Sequence, residues 1–230
     1  MDYTIIQPNA ELRAGARSQL KGVWGKMAFT FFVYGLIYLP YYVVSACNSL
    51  NEQIPAIPPF TGIYVLLSIA AFLAGGPFAM GFVGYFLRRL RGQEIRLSNI
   101  FDGFKRFLPC FLLYLLSNLF IFLWSLLLIV PGIIKALGYS MMFYIMHDNP
   151  EIKPLEAIKK SQIMMKGYKG KYFLLSLSFI GWFLLGVLTL GIGYLWLYPY
   201  MSLSFANFYE NLKQSQEKAA AAAPAPAVPA

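Results

Sequence analysis

The residues that could do chemistry in this chain are few, and they stand in poor places for it. In 230 residues there are ten side-chain carboxylates, one histidine and two cysteines. Asp2, Glu11, Glu52, Glu94, Asp102, Asp148, Glu151, Glu156, Glu210 and Glu217 all lie outside the long apolar runs or, as Glu210 does, at the very end of one. A carboxylate acid/base pair, a proton relay or an oxygen-ligated metal inside a bilayer therefore has no residues to use. His147, next to Asp148, reads as a solvated helix end, because a metal site needs several His, Cys or carboxylate partners. Cys47 and Cys110 belong to opposite ends of different apolar runs, too far apart to bridge, and both read as unpaired. No phosphate-binding glycine loop or nucleophile elbow occurs, and Gly191-Ile192-Gly193 lacks the rest of a dinucleotide fingerprint. The sequence predicts no enzyme activity, no cofactor and no metal.

Two polar residues do fall within apolar runs. Lys135 lies four residues after Pro131-Gly132, about 6 Å along a helix, so its stem can snorkel to an interface; the alternative is a charge facing a polar cavity. Asn118 falls near the middle of its run, where an amide seeks a partner, either on a neighbouring helix or on a bound molecule. Lys135 and Asn118 together form the candidate intramembrane polar site.

The elements that must position these residues follow from hydropathy. The chain is 58% hydrophobic and 13% charged, about half the charged content of a soluble domain. A hydrocarbon core of about 30 Å takes about 20 apolar residues as a helix. Runs of that kind are expected from about Val23 to Ala46, Phe60 to Leu90, Leu108 to Val130, Pro131 to His147, Tyr172 to Leu190 and Tyr194 to about Asn211. The fold class is thus all-α, a polytopic membrane protein of about six transmembrane helices with Gly/Pro breaks. Gly75-Gly76-Pro77 sits inside the second run, which is too long for one straight crossing and must tilt, kink at Pro77 or begin as a re-entrant segment. Residues 1–22 are expected to form an amphipathic N-terminal helix, 23–212 the membrane domain and 213–230 a disordered Ala/Pro-rich tail.

Lys and Arg are sorted by these runs. They crowd the connections before the first, after the second, after the fourth and after the sixth, whereas Cys47–Pro59 carries only Glu52 and the turns at Pro131 and Gly191 carry no charge. This positive-inside pattern orients both chain ends to the cytoplasm. The net charge of +9 is arranged in juxtamembrane clusters, which suits anionic head groups and not nucleic acid. Arg88, Arg89, Arg91, Lys105, Arg106, Lys159, Lys160 and Lys166 are the candidate anionic-lipid contacts. Three stretches on this side are amphipathic and are expected to be interfacial helices. Leu97, Ile100, Phe101, Phe104 and Phe107 share an arc, and Leu12, Ala16, Leu20 and Val23 form a stripe beside Arg13, Arg17 and Lys21. Leu155, Ile158, Met164 and Met165 oppose Lys159, Lys160 and Lys166, with Ile163 on the wrong face.

An internal repeat is visible as well. Arg91-Gly92-Gln93-Glu94-Ile95-Arg96 is similar to Asp148-Asn149-Pro150-Glu151-Ile152-Lys153, each string closing a span that begins at a Gly/Pro break and leading into a basic amphipathic helix. A third such span starts after Gly191. Repeats of this kind recur in transporters, though duplication also occurs without transport.

The strings Ile129-Val130-Pro131-Gly132-Ile133-Ile134-Lys135, Tyr139-Ser140-Met141, Asp148-Asn149-Pro150, Glu156-Ala157-Ile158 and Met164-Met165-Lys166-Gly167 resemble a bacterial family of multi-pass membrane proteins known as a domain of unknown function. Ser178 to Trp182, Thr189 to Gly193, Trp196 and Pro199-Tyr200 fit too, as do Ala16-Arg17, Leu20-Lys21-Gly22 and Trp24. The pattern is distantly similar to the membrane domains of some glycerophosphodiester phosphodiesterases, whose catalytic domain and acidic metal ligands this chain lacks. The resemblance implies a bacterial cytoplasmic (inner) membrane location. From the residues themselves, the expected function is a non-catalytic membrane module that organises lipid or a protein partner, and the alternative is a small transporter or channel with a polar path near Lys135 and Asn118. Whether it pairs with another protein or with itself is left open.

Overall fold

Backbone amides in hydrocarbon can hydrogen-bond only to their own segment, so long apolar runs must close on themselves as helices. In the computed structural model, which describes residues 6–53 and 60–222, the described residues are helical with no strand. The elements are α1 (Asn9–Leu20), α2 (Trp24–Gln53), α3 (Thr61–Leu90), the 3₁₀ helix η1 (Leu97–Arg106), α4 (Phe107–Leu127), α5 (Ile129–Tyr139), α6 (Met142–Asp148), α7 (Pro154–Met164), α8 (Lys169–Leu177), α9 (Ile180–Leu188) and α10 (Tyr194–Ala222). Five stretches are long and apolar enough to cross a membrane: Trp24–Leu50, Thr61–Leu90, Leu97–Leu127, Ile129–Asp148 and Lys169–Leu188. The sixth expected run, the first part of α10, is not among them, because Ser202, Ser204 and Asn207 dilute its apolar character.

The Gly/Pro signals do not all act as breaks. Gly75-Gly76-Pro77 lies inside the continuous 30-residue α3, so residues 61–76 lead straight into 77–90 as one helix. Here glycine serves close approach. A Cβ at Gly76 would strike the Cys110 carbonyl of α4, and one at Gly81 would strike the Ile100 carbonyl of η1. By contrast, the fourth span breaks at Ser140-Met141 and the fifth at Ser178-Phe179, where no Gly or Pro marks the sequence. The hairpin tip between α9 and α10 bends through Leu190 and Gly191, at φ 53° and 89°.

Each of the three amphipathic stretches docks part of its apolar face on the neighbouring helices, while Phe101, Phe104 and Phe107 beside η1 and Leu155 of α7 stay exposed. Leu12, Ala16 and Leu20 of α1 are fully buried, with α1 packed along α10. Ala157, Ile158, Ser161 and Met164 of α7 are buried where α7 meets α4, α5 and α6. In η1 the 3₁₀ geometry brings every third residue into register. Ile100 and Gly103 thus form the column buried on α3, and a Cβ at Gly103 would strike the Pro77 carbonyl. Phe101, Phe104 and Phe107 form an exposed aromatic column, and Asn99, Asp102 and Lys105 form a polar one. The largest buried cluster joins α1, α3, α6 and residues 197–212 of α10 at the basic end of the helices, their cap. At the opposite end the helices are far more exposed, as at Leu126 to Val130 and Leu188.

The C-terminal segment also differs from expectation. α10 stays helical to Ala222, since Lys213 binds Asp148, Gln216 donates to the Met164 carbonyl and the following alanines are strong helix formers. Residues 223–230 of the expected tail, and 54–59 of the expected outer connection, lie outside the described residues. Cys47 and Cys110 are both unpaired, Cys110 being buried.

Candidate functional site

The polar centre of the molecule is built on Asp148, the last residue of α6. Its side chain is only 7% exposed and its two oxygens meet four donors. Arg91 Nη2 lies 2.8 and 2.9 Å away, Lys213 Nζ 2.6 Å and the Tyr209 hydroxyl 3.0 Å, with His147 Nδ1 at 3.5 Å. Arg91 also donates from Nε and Nη2 to Glu210 Oε1, at 2.8 and 2.6 Å. Desolvation acts to lower the Arg91 pKa, but the hydrogen bonds it donates to Glu210 and Asp148 outweigh it and hold the guanidinium above its ordinary value. The basic ends of α3 and α6 and the middle of α10 therefore meet in one charge network. Sequence reasoning read His147 as a solvated helix end and gave Asp148 no partner, because the partners lie 57 to 119 residues apart; the repeated strings were the available signal.

Most of the candidate lipid-contact arginines serve the same cap. Arg88 binds Asp102 of η1 at 2.5 Å. Arg89 donates twice to the Gln19 carbonyl, at 2.8 and 2.5 Å, satisfying an orphan acceptor at the end of α1. Arg106 donates to the Pro150 carbonyl. Lys105 binds Asp102 at 2.7 Å from an exposed position. Lys159, Lys160 and Lys166 are different: they are exposed, and their ammonium groups make no hydrogen bond or ion pair among the described residues. On α7, Leu155, Lys159 and Ile163 recur at four-residue spacing and so share a face. Leu155 is 48% and Ile163 72% exposed. Ile163, which seemed misplaced, stands among the lysines on a surface that is at once apolar and cationic.

The two intramembrane candidates are not brought together. The Lys135 ammonium sits over the Trp124 ring, 4.5 Å from its centroid, beside the α4–α5 turn. Asn118 is exposed and donates to the Tyr114 carbonyl of its own helix at 2.8 Å. Neither lines the largest polar cavity, of about 630 Å³, which is bounded by Tyr34, Tyr38, Tyr41 and Tyr42 of α2, Ser68 and Gly75 of α3, Tyr114 of α4 and Ser202 of α10. One turn nearer the cap, Thr30 and Tyr85 are fully buried and hydrogen-bonded at 3.1 Å. Among the described residues no three His, Cys, Asp or Glu side chains converge as a metal would require.

Comparison with curated proteins and with solved structures finds no match. A family model does match, over residues 1–138 and again over 125–216, the overlap falling on the end of α4 and on α5. The strings around Pro131, Asp148 and Gly191 lie within the matched residues. Nearly the whole described chain is covered, and the protein belongs to the family described as protein of unknown function, DUF975.

Proposed function

We propose that this is a non-catalytic integral membrane module that gathers anionic lipid at the cytoplasmic face of a bacterial inner membrane. It spans the bilayer six times with both ends inside, α10 supplying the sixth span beside the five longer apolar stretches. The observation that carries the reading is the exposed face of α7, where Leu155 and Ile163 stand with the unpaired Lys159 and Lys160, followed by the unpaired Lys166 in the turn after it. A surface of that composition inserts its apolar side chains between head groups while its ammonium groups meet phosphate, each cation adding about 1 kcal/mol near an anionic leaflet. The sorting of Lys and Arg along the chain supports the orientation. The network on Asp148 supports the absence of catalysis, since its carboxylates are occupied by structural cations. The distant similarity to phosphodiesterase membrane domains fits a module that serves at a lipid surface.

The test is retention of phosphatidylglycerol by the purified full chain, counted by native mass spectrometry. Charge reversal at Lys159, Lys160 and Lys166 together is expected to lower the retained lipid severalfold. Unchanged retention sinks the proposal.

A second reading, a small transporter or channel, draws on the tyrosine-lined cavity. It would route solute past hydroxyl groups and not past Lys135 or Asn118. Flux into proteoliposomes that Ser68→Phe abolishes would favour it.

A further inference from the structure

Three of the four tryptophans of the chain stand in one groove. Trp182 of α9, Trp196 of α10 and Trp24 at the start of α2 line it together with Leu185 and Tyr200, and it encloses about 400 Å³. That volume lies within the ~300–1,000 Å³ typical of ligand sites. The walls are open to the surroundings of the protein, Trp182, Leu185 and Trp196 being about half exposed. The floor is narrow because α9 and α10 touch backbone to backbone: a Cβ at Gly193 would lie 3.2 Å from the Gly186 Cα.

The groove carries one charge, Arg17 of α1, at its cap end. Arg17 is exposed and has no ion pair among the described residues. Arg13 stands one turn before it on the same face of α1, and Lys21 caps the end of that helix. Arg13 reaches the Ser178 carbonyl at the break between α8 and α9, at 3.4 Å, and its Nε is buried without an acceptor. The feature thus has an apolar, indole-lined body and a cationic mouth at Arg17, with Arg13 and Lys21 its basic neighbours in the chain. Indole itself favours the boundary between hydrocarbon and head groups.

We infer that this groove binds a single anionic glycerophospholipid, one acyl chain lying along Trp182, Trp196 and Leu185 and the phosphate on Arg17. Charge complementarity chooses the occupant. A zwitterionic lipid also brings a phosphate, but its ammonium would stand among Arg13, Arg17 and Lys21, whereas a net negative head group is attracted by all three. The inference rests on the lipid-gathering reading and names a second, discrete site for it, built on α1, α2, α9 and α10 and without any residue of α7.

The tryptophans supply the readout. In the full chain carrying Trp124→Phe, all indole fluorescence arises from the groove. Phosphatidylglycerol and phosphatidylcholine, each brominated on the acyl chain, are compared as quenchers in bilayers of fixed composition. Brominated phosphatidylglycerol is expected to quench about tenfold more effectively per mole, and Arg17→Gln to cut that preference about fivefold, the loss of one cation near an anionic head group. Leu185→Trp, which fills the groove, is expected to remove the tight component while leaving the fold intact by circular dichroism. Equal quenching by the two lipids, or a preference that survives both Arg17→Gln and Leu185→Trp, overturns the site. The triple α7 variant separates the two readings: it leaves the groove preference in place while lowering total lipid retention, so a failure confined to either experiment condemns only that site.

Discussion

Arg91 and Asp148 open the two repeated strings of this chain, and they are bound to each other, Arg91 Nη2 lying 2.8 and 2.9 Å from the two Asp148 oxygens. Equivalent positions of successive units thus meet face to face, and Glu210 on the third unit shares the same guanidinium. Opposite charges at the matched positions make the contact attractive where identical residues would repel.

Replacing Asp148 by Ala leaves Arg91, Lys213 and Tyr209 without their common acceptor. Removing one partner of a fully buried pair costs about 3–5 kcal/mol. Arg91 and Lys213 keep about a third of their side chains in water, so about 2–3 kcal/mol is expected here. A lowered thermal midpoint of the detergent-solubilised protein measures it. Asp148→Glu is expected to recover part of the loss.

The contact of α3 with η1 leaves no room for a methyl group. Gly81→Ala and Gly103→Ala each drive a Cβ into a backbone carbonyl, of Ile100 and Pro77 respectively. Neither backbone can rotate away as a side chain would, so each is expected to cost about 3 kcal/mol, the upper end of overpacking. Gly25→Ala in α2 meets nothing within 4 Å and is expected to stabilise by about 1 kcal/mol. Comparing the melting of the three variants is the check.

Lys135 is held by an aromatic ring and not by a polar chamber. Its attraction to Trp124 is worth about 0.5–1 kcal/mol at an exposed site. Lys135→Arg should therefore be neutral, while Lys135→Leu and Trp124→Leu should each cost that amount and their costs should not add. A double-mutant cycle in thermal midpoints would expose additivity, which would refute the pairing.

Leu190 adopts a left-handed conformation, φ 53°, with its side chain 94% exposed. An L residue there carries strain of about 1 kcal/mol that Asn tolerates. Leu190→Asn is expected to raise the melting temperature slightly, and a fall would mean that Leu190 contributes a contact in the bilayer that outweighs the strain.

Hydropathy and the placement of Lys and Arg were enough to locate the helices and the basic end, because both follow from the local cost of burying charge in lipid. They said little about which basic residues remain open to lipid. Arg88, Arg89, Arg91 and Lys159 look alike in a charge pattern, yet the first three are committed to Asp102, Gln19 and Asp148 and only Lys159 stays free. That distinction depends on tertiary contacts, as did the burial of the amphipathic stripes. The course through Pro77 was open for a related reason: that the run continues as one helix goes with the packing of Gly76, Gly81 and Gly103 against carbonyls, which the isolated proline does not reveal. The clustering of Trp24, Trp182 and Trp196 could not be seen at all, since it depends on how a hairpin folds back on the junction of α1 and α2.

The register of η1 also fixes what evolution can insert or delete ahead of it. A 3₁₀ helix advances about 120° per residue, so lengthening the turn at Arg91–Arg96 by one residue would exchange its three columns. Either the phenylalanines or the Asp102 column would then face the narrow gap on α3 that only Ile100 and Gly103 fit. An indel of three residues would restore the order of faces but slide the helix by about 6 Å, carrying Asp102 away from Arg88 and Gly103 away from Pro77. Length variation in this protein should therefore be found beyond the cap, in connections such as the one preceding α3, and not in the six residues that join α3 to η1.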